Sequence, residues 1–238
     1  VQQAPPGLSE LEKKSEGQIW MSNAKTPDRG IVVLGSPIGT EEFCRKFAEK
    51  RMQEENRLLE HLPHLGDLQV SWLLLYFCAA NRANHIIRLL PPNISDSYAE
   101  MHDRAKFQCL EGLLQIPGAV SKNFQVEGIA SLPCCFGGLG LRDARRTATA
   151  AYWAAWADAL PILIARLPEL GKRWAEALIE EEDKHSNLQS LPDCLKRAEQ
   201  SRRAISEAWS KIASETFKVP SWKEIAEGKL PPNSEQLR

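Results

Sequence analysis

No Cys-x-x-Cys pair occurs among the six cysteines, Cys44, Cys78, Cys109, Cys134, Cys135 and Cys194. That scatter excludes a zinc-finger framework. Cys44, Cys78 and Cys109 fall in helical patterns, where a thiol packs as a small apolar side chain. Reduced thiols fit an intracellular protein, nuclear or cytoplasmic. Excess charge of either sign is also lacking. The formal net charge is −1, so no global basic field advertises a nucleic-acid partner, and any such contact must rest on a local patch. The longest apolar run, 70–80, contains Ser71 and is too short to span a bilayer, so no membrane partner is expected. The polar start with Pro5-Pro6-Gly7 does not read as a secretory leader. Gly-x-Gly-x-x-Gly, Walker A and Gly-x-Ser-x-Gly patterns are missing, which removes dinucleotide, P-loop and serine-hydrolase readings. His61-x-x-His64 has ligand-like spacing, but Pro63 breaks the helix between the two and no Cys pair accompanies them. His102-Asp103 lacks the further ligands of a metal phosphohydrolase. No metal or cofactor is therefore assigned to this chain.

What is present is helix, with one exception. Gly30-Ile31-Val32-Val33-Leu34-Gly35-Ser36-Pro37-Ile38-Gly39 is almost the only strand-like stretch and reads as a short strand or hairpin around a tight turn. The expected fold is mainly α, a short N-terminal β-hairpin or strand followed by a helical bundle and further helices. Thr40, followed by Glu41 and Glu42, can cap a helix running to about Leu62, with Phe43, Phe47, Leu58 and Leu62 on its apolar face. Asp67 can cap a second helix. Its stripe of Leu68, Trp72, Leu75, Ala79, Ala83, Ile86 and Leu90 is uninterrupted, and Pro91-Pro92 stops it. A third helix starts at Ser95 or Asp96 and uses Tyr98, Met101, Ala105, Cys109 and Leu113. Residues 115–141 are loop-rich, with a short helix near 121–130. Asp143 can cap the next helix, and Pro161, Pro168, Pro192 and Pro220 are expected to separate the remaining pieces. Glu180-Glu181-Glu182-Asp183 reads as a solvated face.

Several residues stand out as candidate contacts. Asn81, Arg82, His85 and Arg88 share a polar helix face, which suits either phosphate contact or plain solvation with cations near a helix C-terminus. Arg142, Arg145 and Arg146 crowd a helix start, where positive charge is unfavourable, and this hints at an anionic partner. The Gly137-Gly138-Leu139-Gly140-Leu141 run before it reads as a structural turn. Tyr152, Trp153, Trp156 and Trp174 are weighed as base-stacking residues, with core packing favoured by their helical spacing.

The order of several motifs resembles the C-terminal region of a non-LTR (LINE-type) retrotransposon reverse transcriptase. The 30–39 turn is similar to the primer-grip hairpin by which the palm hands over to the thumb, with Val33 in place of the usual aromatic and Trp20 ahead of it. Ala79-Ala80-Asn81-Arg82-Ala83-Asn84-His85-Ile86-Ile87-Arg88-Leu89-Leu90-Pro91-Pro92 resembles the family's thumb helix end. Ala99-Glu100-Met101-His102-Asp103, Leu132-Pro133, Gly137-Gly138-Leu139-Gly140-Leu141 and the 150–160 stretch continue the likeness, which covers roughly 18–165. The resemblance implies a primer-grip role for the backbone of Leu34, Gly35 and Ser36, where a tight turn lets peptide groups approach a strand. An ordinary β-turn packed on helices is the alternative. It implies a mobile lead-in at 1–17, a palm remnant at 18–39, a thumb-like bundle at 40–121, a post-thumb region at 122–227 and a frayed tail at 228–238. The implied partners are a template–primer duplex and the palm and fingers of the parent polymerase. That polymerase would use Mg held by palm aspartates, and no Asp-Asp turn between strands occurs here. The expectation is a C-terminal piece without its active site, catalytically inactive alone. The alternative is a non-enzymatic helical interaction module, or a degenerate transposon-derived protein without nucleic-acid binding.

Overall fold

The computed structural model describes residues 29–120, 122–184, 191–212 and 219–229. The proposed lead-in, Trp20 and most of the tail lie outside the described residues. The fold is mainly α, with one short antiparallel hairpin ahead of the helices. It packs as two compact units. One comprises the chain up to Ile86 together with Asn93–Arg145; the other comprises Ile87–Pro92 and the chain from Arg146 onward.

In the first unit, strands β1 (Gly30–Val33) and β2 (Ser36–Gly39) pair with Gly30 opposite Gly39 and Val33 opposite Ser36. Leu34 and Gly35 form the two-residue turn, both left-handed at φ 51° and 77°. This is the twist-matched turn that hairpins prefer. Glycine adopts it freely, whereas a left-handed conformation disfavours any residue with a Cβ by about 1–2 kcal/mol. Leu34 is nevertheless there, 96% exposed. A Cβ at Gly30 would overlap the Phe43 ring, so a glycine lets the hairpin lie against helix α1 (Glu41–His61).

Thr40 caps α1 through its hydroxyl, which accepts from Phe43 N at 3.3 Å. The buried face of α1 is Cys44, Ala48, Met52, Glu55 and Leu59, followed by Leu62. This is one residue round from the expected Phe43, Phe47 and Leu58, which are half-buried. The small Cys44 and Ala48 sit where the hairpin approaches closely, and the Cys44 thiol reaches Pro37 O at 3.9 Å. A 3₁₀ turn (Leu62–His64) ends the helix at Pro63.

The second helix is not continuous. Asp67 caps α2 (Leu68–Leu73), with Val70 N donating to its Oδ1 at 3.0 Å. The next segment, Leu74–Ala79, is wound as a π-helix and closes with Ala80 N to Leu75 O at 2.8 Å. Helix α3 (Ala83–Leu89) follows after a break. The apolar stripe survives because the extra residue of the π-turn rotates register without losing the buried positions Leu75, Ala79, Ala83, Ile86 and Leu90. Leu68, at the start, is exposed. Helix α4 (Pro92–Leu114) begins at Pro92, earlier than Ser95, since proline is well placed in a first turn. Met101 turns outward. Asn123 caps α5 (Phe124–Ser131), and a 3₁₀ turn (Cys134–Phe136) leads through Gly137 and Gly140 to helix α6 (Ala144–Arg166).

The second unit closes its core with Tyr152, Trp153, Leu160, Ala175, Leu178, Leu191, Leu195, Ala198, Ile205, Trp222 and Ile225. Pro161 does not separate two helices as the sequence predicts. Helix α6 runs through it, and the break falls at Leu167, before Pro168 opens α7 (Pro168–Lys184). Burial of Leu160 and packing of Ile164 on the same core outweigh the hydrogen bond that Pro161 cannot donate. Helix α6 is also long and apolar enough, by length and composition alone, to cross a membrane. A reading based on the 70–80 run overlooks it. Here its Tyr152, Trp153 and Leu160 pack into the core. Helices α8 (Asp193–Ile212) and α9 (Trp222–Ala226) complete the unit, α9 with a full capping box between Ser221 and Glu224.

Candidate nucleic-acid interface

The hairpin turn and the α3 ridge meet within the first unit. A Cβ placed on Gly35 would lie 3.8 Å from His85 Nε2. Asn81, Arg82 and His85 are exposed, and Leu34 projects fully into solvent beside them. Arg82 makes no ion pair among the described residues. Asn81 is oriented by its own amide, which donates to Tyr76 O at 3.1 Å across the π-turn. The tight turn thus meets the His85 imidazole, with the exposed Asn81 and Arg82 just ahead of it in the chain.

That surface is braced from below by a buried polar cluster that hydrophobic periodicity cannot signal. Glu55 Oε2 accepts from Tyr98 OH at 2.8 Å and lies 3.2 Å from His102 Nδ1. The other imidazole nitrogen, Nε2, lies 3.2 Å from Ala80 O, at the foot of the Asn81–Arg82 break. Burial, then the Glu55 charge, pushes the Tyr98 phenol far up, so it stays a donor. Glu55 Oε1 faces Arg51 Nε at 3.8 Å, a charge contact too long for a hydrogen bond, and is itself buried without one.

At the start of α6 the protein's own carboxylates hold the Arg145 side chain and the first backbone amides. Asp103, from α4, accepts from Ala144 N at 2.9 Å, Arg145 N at 3.0 Å and Lys106 Nζ at 2.6 Å. Lys106 is completely buried and donates also to Arg142 O at 2.6 Å. A carboxylate from 41 residues earlier in the chain therefore receives the first amides of α6. Burial alone would push Asp103 up. The Lys106 charge and hydrogen bonds with Asp143, Lys106 and Ala144 N outweigh it and hold the carboxyl below its ordinary value. Arg145 is gripped by Asp96 at 2.9 Å, with Glu100 at 3.9 Å. The expected cost of positive charge at this helix start is thus offset internally for Arg145. The Arg142 side chain is exposed and makes no ion pair among the described residues.

The second unit holds Arg88 and Arg146. Arg88 bonds Asp158 at 3.0 Å, with both side chains nearly half exposed; Arg146 is exposed. Tyr152 and Trp153 are buried in the core, and Trp156 packs on Trp174 at 6.1 Å between ring centres, so this set is packing material. The acidic run at 180–183 is not simply solvated. Glu181 is buried, while Glu182 accepts from Trp222 N at 2.9 Å and pairs with Arg202 at 3.0 Å. Beside them, fully buried Glu199 takes Arg202, Arg203 and Trp222 Nε1 as donors. Burial opposes its charge, but those donors hold its carboxyl below the ordinary value.

Among the described residues no group of three or more His, Cys, Asp or Glu side chains is placed to hold a metal ion. His102 and Asp103 face two different networks despite being adjacent. Comparison of the chain with protein-family models, curated proteins and solved structures finds no match.

Proposed function

We propose that this chain is a non-catalytic, thumb-like part of a LINE-type reverse transcriptase whose role is to grip a template–primer duplex, in the nucleus or cytoplasm. The observation that carries the reading is the approach of the Gly35 turn to His85. The resemblance implies a primer-grip role for the first, the second lies on a polar helix face suited to phosphate contact, and 50 residues separate them in the chain. A glycine turn offers peptide N–H groups to a backbone phosphate, and Arg82, Asn81 and His85 add charge-assisted and neutral donors around it. Contacts of this kind position a duplex without reading its sequence. Catalysis, and the Mg it needs, would reside in the palm of the parent polymerase. Leu34, Gly35, Ser36, Asn81, Arg82, His85 and Arg142 are the assigned contacts in the first unit. Arg145 can join them only by exchanging Asp96 for phosphate, and Arg88, in the second unit, is paired with Asp158.

Titration of a blunt RNA–DNA hybrid with the protein at several salt concentrations tests this. Affinity should fall steeply with salt, and Arg82→Ala should lower the slope of log K against log salt by roughly one. Absence of binding even at low salt would leave the second reading, a helical protein-interaction module. The internal pairing of Arg88 and Arg145 favours that reading, because those cations already have partners.

A further inference from the structure

The first unit exposes aromatic side chains that the hybrid grip does not use. Phe77 lies in the π-helical segment and is 65% exposed; Phe136, in the turn before α6, is 74% exposed. Tyr76 joins the two places. Its ring packs edge-on against Phe77, with centroids 4.8 Å apart. Its other side meets the glycine turn, where a Cβ on Gly140 would lie 3.0 Å from Tyr76 Cε2 and 3.4 Å from Cys134 Sγ. Two exposed guanidiniums lie close to this strip along the chain. Arg142 follows Gly140 by two residues, and Arg82 follows Asn81, whose amide is anchored on the Tyr76 carbonyl. Neither arginine has a carboxylate partner among the described residues. Large apolar side chains grouped at a surface mark interaction sites, as single scattered ones do not.

We propose that Tyr76, Phe77 and Phe136 form a stacking platform for unpaired nucleotides, with Arg82 and Arg142 on the flanking phosphates. Exposed rings beside free cations suit single-stranded nucleic acid, whose bases offer π-faces and whose backbone offers charge. A protein helix would also cover apolar rings, but charge complementarity favours a polyanion. The inference rests on the nucleic-acid reading above and adds a second ligand class to it: the single strand that runs off a gripped duplex. The π-turn gives Phe77 its position, because a regular α-helical turn would rotate it by about 100° relative to the buried stripe.

The test uses the whole chain and two fluorescein-labelled probes, an oligo(U) single strand and a blunt RNA–DNA hybrid, read by anisotropy at low salt. Oligo(U) should bind. Phe77→Ala should weaken it roughly five- to tenfold, the lower range for one stacked base, without altering hybrid binding or far-ultraviolet dichroism, and Phe77→Trp should restore it. Unchanged oligo(U) affinity in Phe77→Ala overturns the platform. Hybrid binding without oligo(U) binding overturns it too and leaves the duplex grip standing. Phe77-dependent oligo(U) binding without hybrid binding supports the platform and removes the duplex grip. No binding to either probe removes both. Self-association that Phe77→Ala abolishes, with oligo(U) binding untouched, also overturns the platform and assigns the strip to a second copy of the chain.

Discussion

Replacing Asp103 with alanine should be among the most damaging single changes in the first unit. The carboxylate bonds at once to the ammonium of Lys106 and to the amides of Ala144 and Arg145, besides its hydrogen bond with Asp143. Lys106 is wholly buried, so its charge would be left with only a carbonyl and the Phe107 ring, 4.7 Å from its ammonium. Breaking one side of a buried pair costs about 3–5 kcal/mol, and losing a helix cap adds about 1 kcal/mol. The urea midpoint for unfolding, followed by circular dichroism, should fall accordingly. The double variant Asp103→Ala/Lys106→Met removes the stranded charge and fills its volume. It should recover most of the loss, leaving roughly the cap contribution. A double variant no more stable than Asp103→Ala would refute the argument, because the damage would then lie outside the ion pair. A pH series gives an independent check. Asp103 is held below its ordinary value when folded, so the unfolded chain takes up its proton first. Its stabilisation is complete above the unfolded pKa, about 3.9, and is lost as pH falls through the lower folded value. The advantage of wild type over Asp103→Asn should therefore shrink below about pH 4.

Other consequences follow from single contacts. Tyr98→Phe takes one donor from buried Glu55 and should destabilise by about 1–3 kcal/mol, measured by thermal unfolding. Gly171→Ala should also destabilise, by roughly 1–3 kcal/mol, because a Cβ there would stand 2.5 Å from Ile164 N, where α7 turns back on α6. Leu34→Gly relieves the left-handed strain and should stabilise the hairpin by about 1 kcal/mol; amide exchange in β1 and β2 would report it. Pro161→Ala restores a helix hydrogen bond inside α6 and should raise the unfolding temperature; a fall would show that the proline shapes the core.

The amino-acid pattern alone determined the hairpin turn, the caps at Thr40 and Asp67, the stop at Pro63 and most of the 75–90 stripe. These depend on neighbours in the chain, and local backbone preference and periodicity carry them. Only the tertiary structure decided what joins across distance. It placed Gly35 against His85 and brought Asp103 of α4 to the first amides of α6. It also buried Glu55, His102, Lys106 and Glu199, charged or polar residues that any pattern reading assigns to the surface. Burial of a polar group is tolerable only when a particular partner arrives from elsewhere in the chain, and that arrival is a property of packing, not of local sequence.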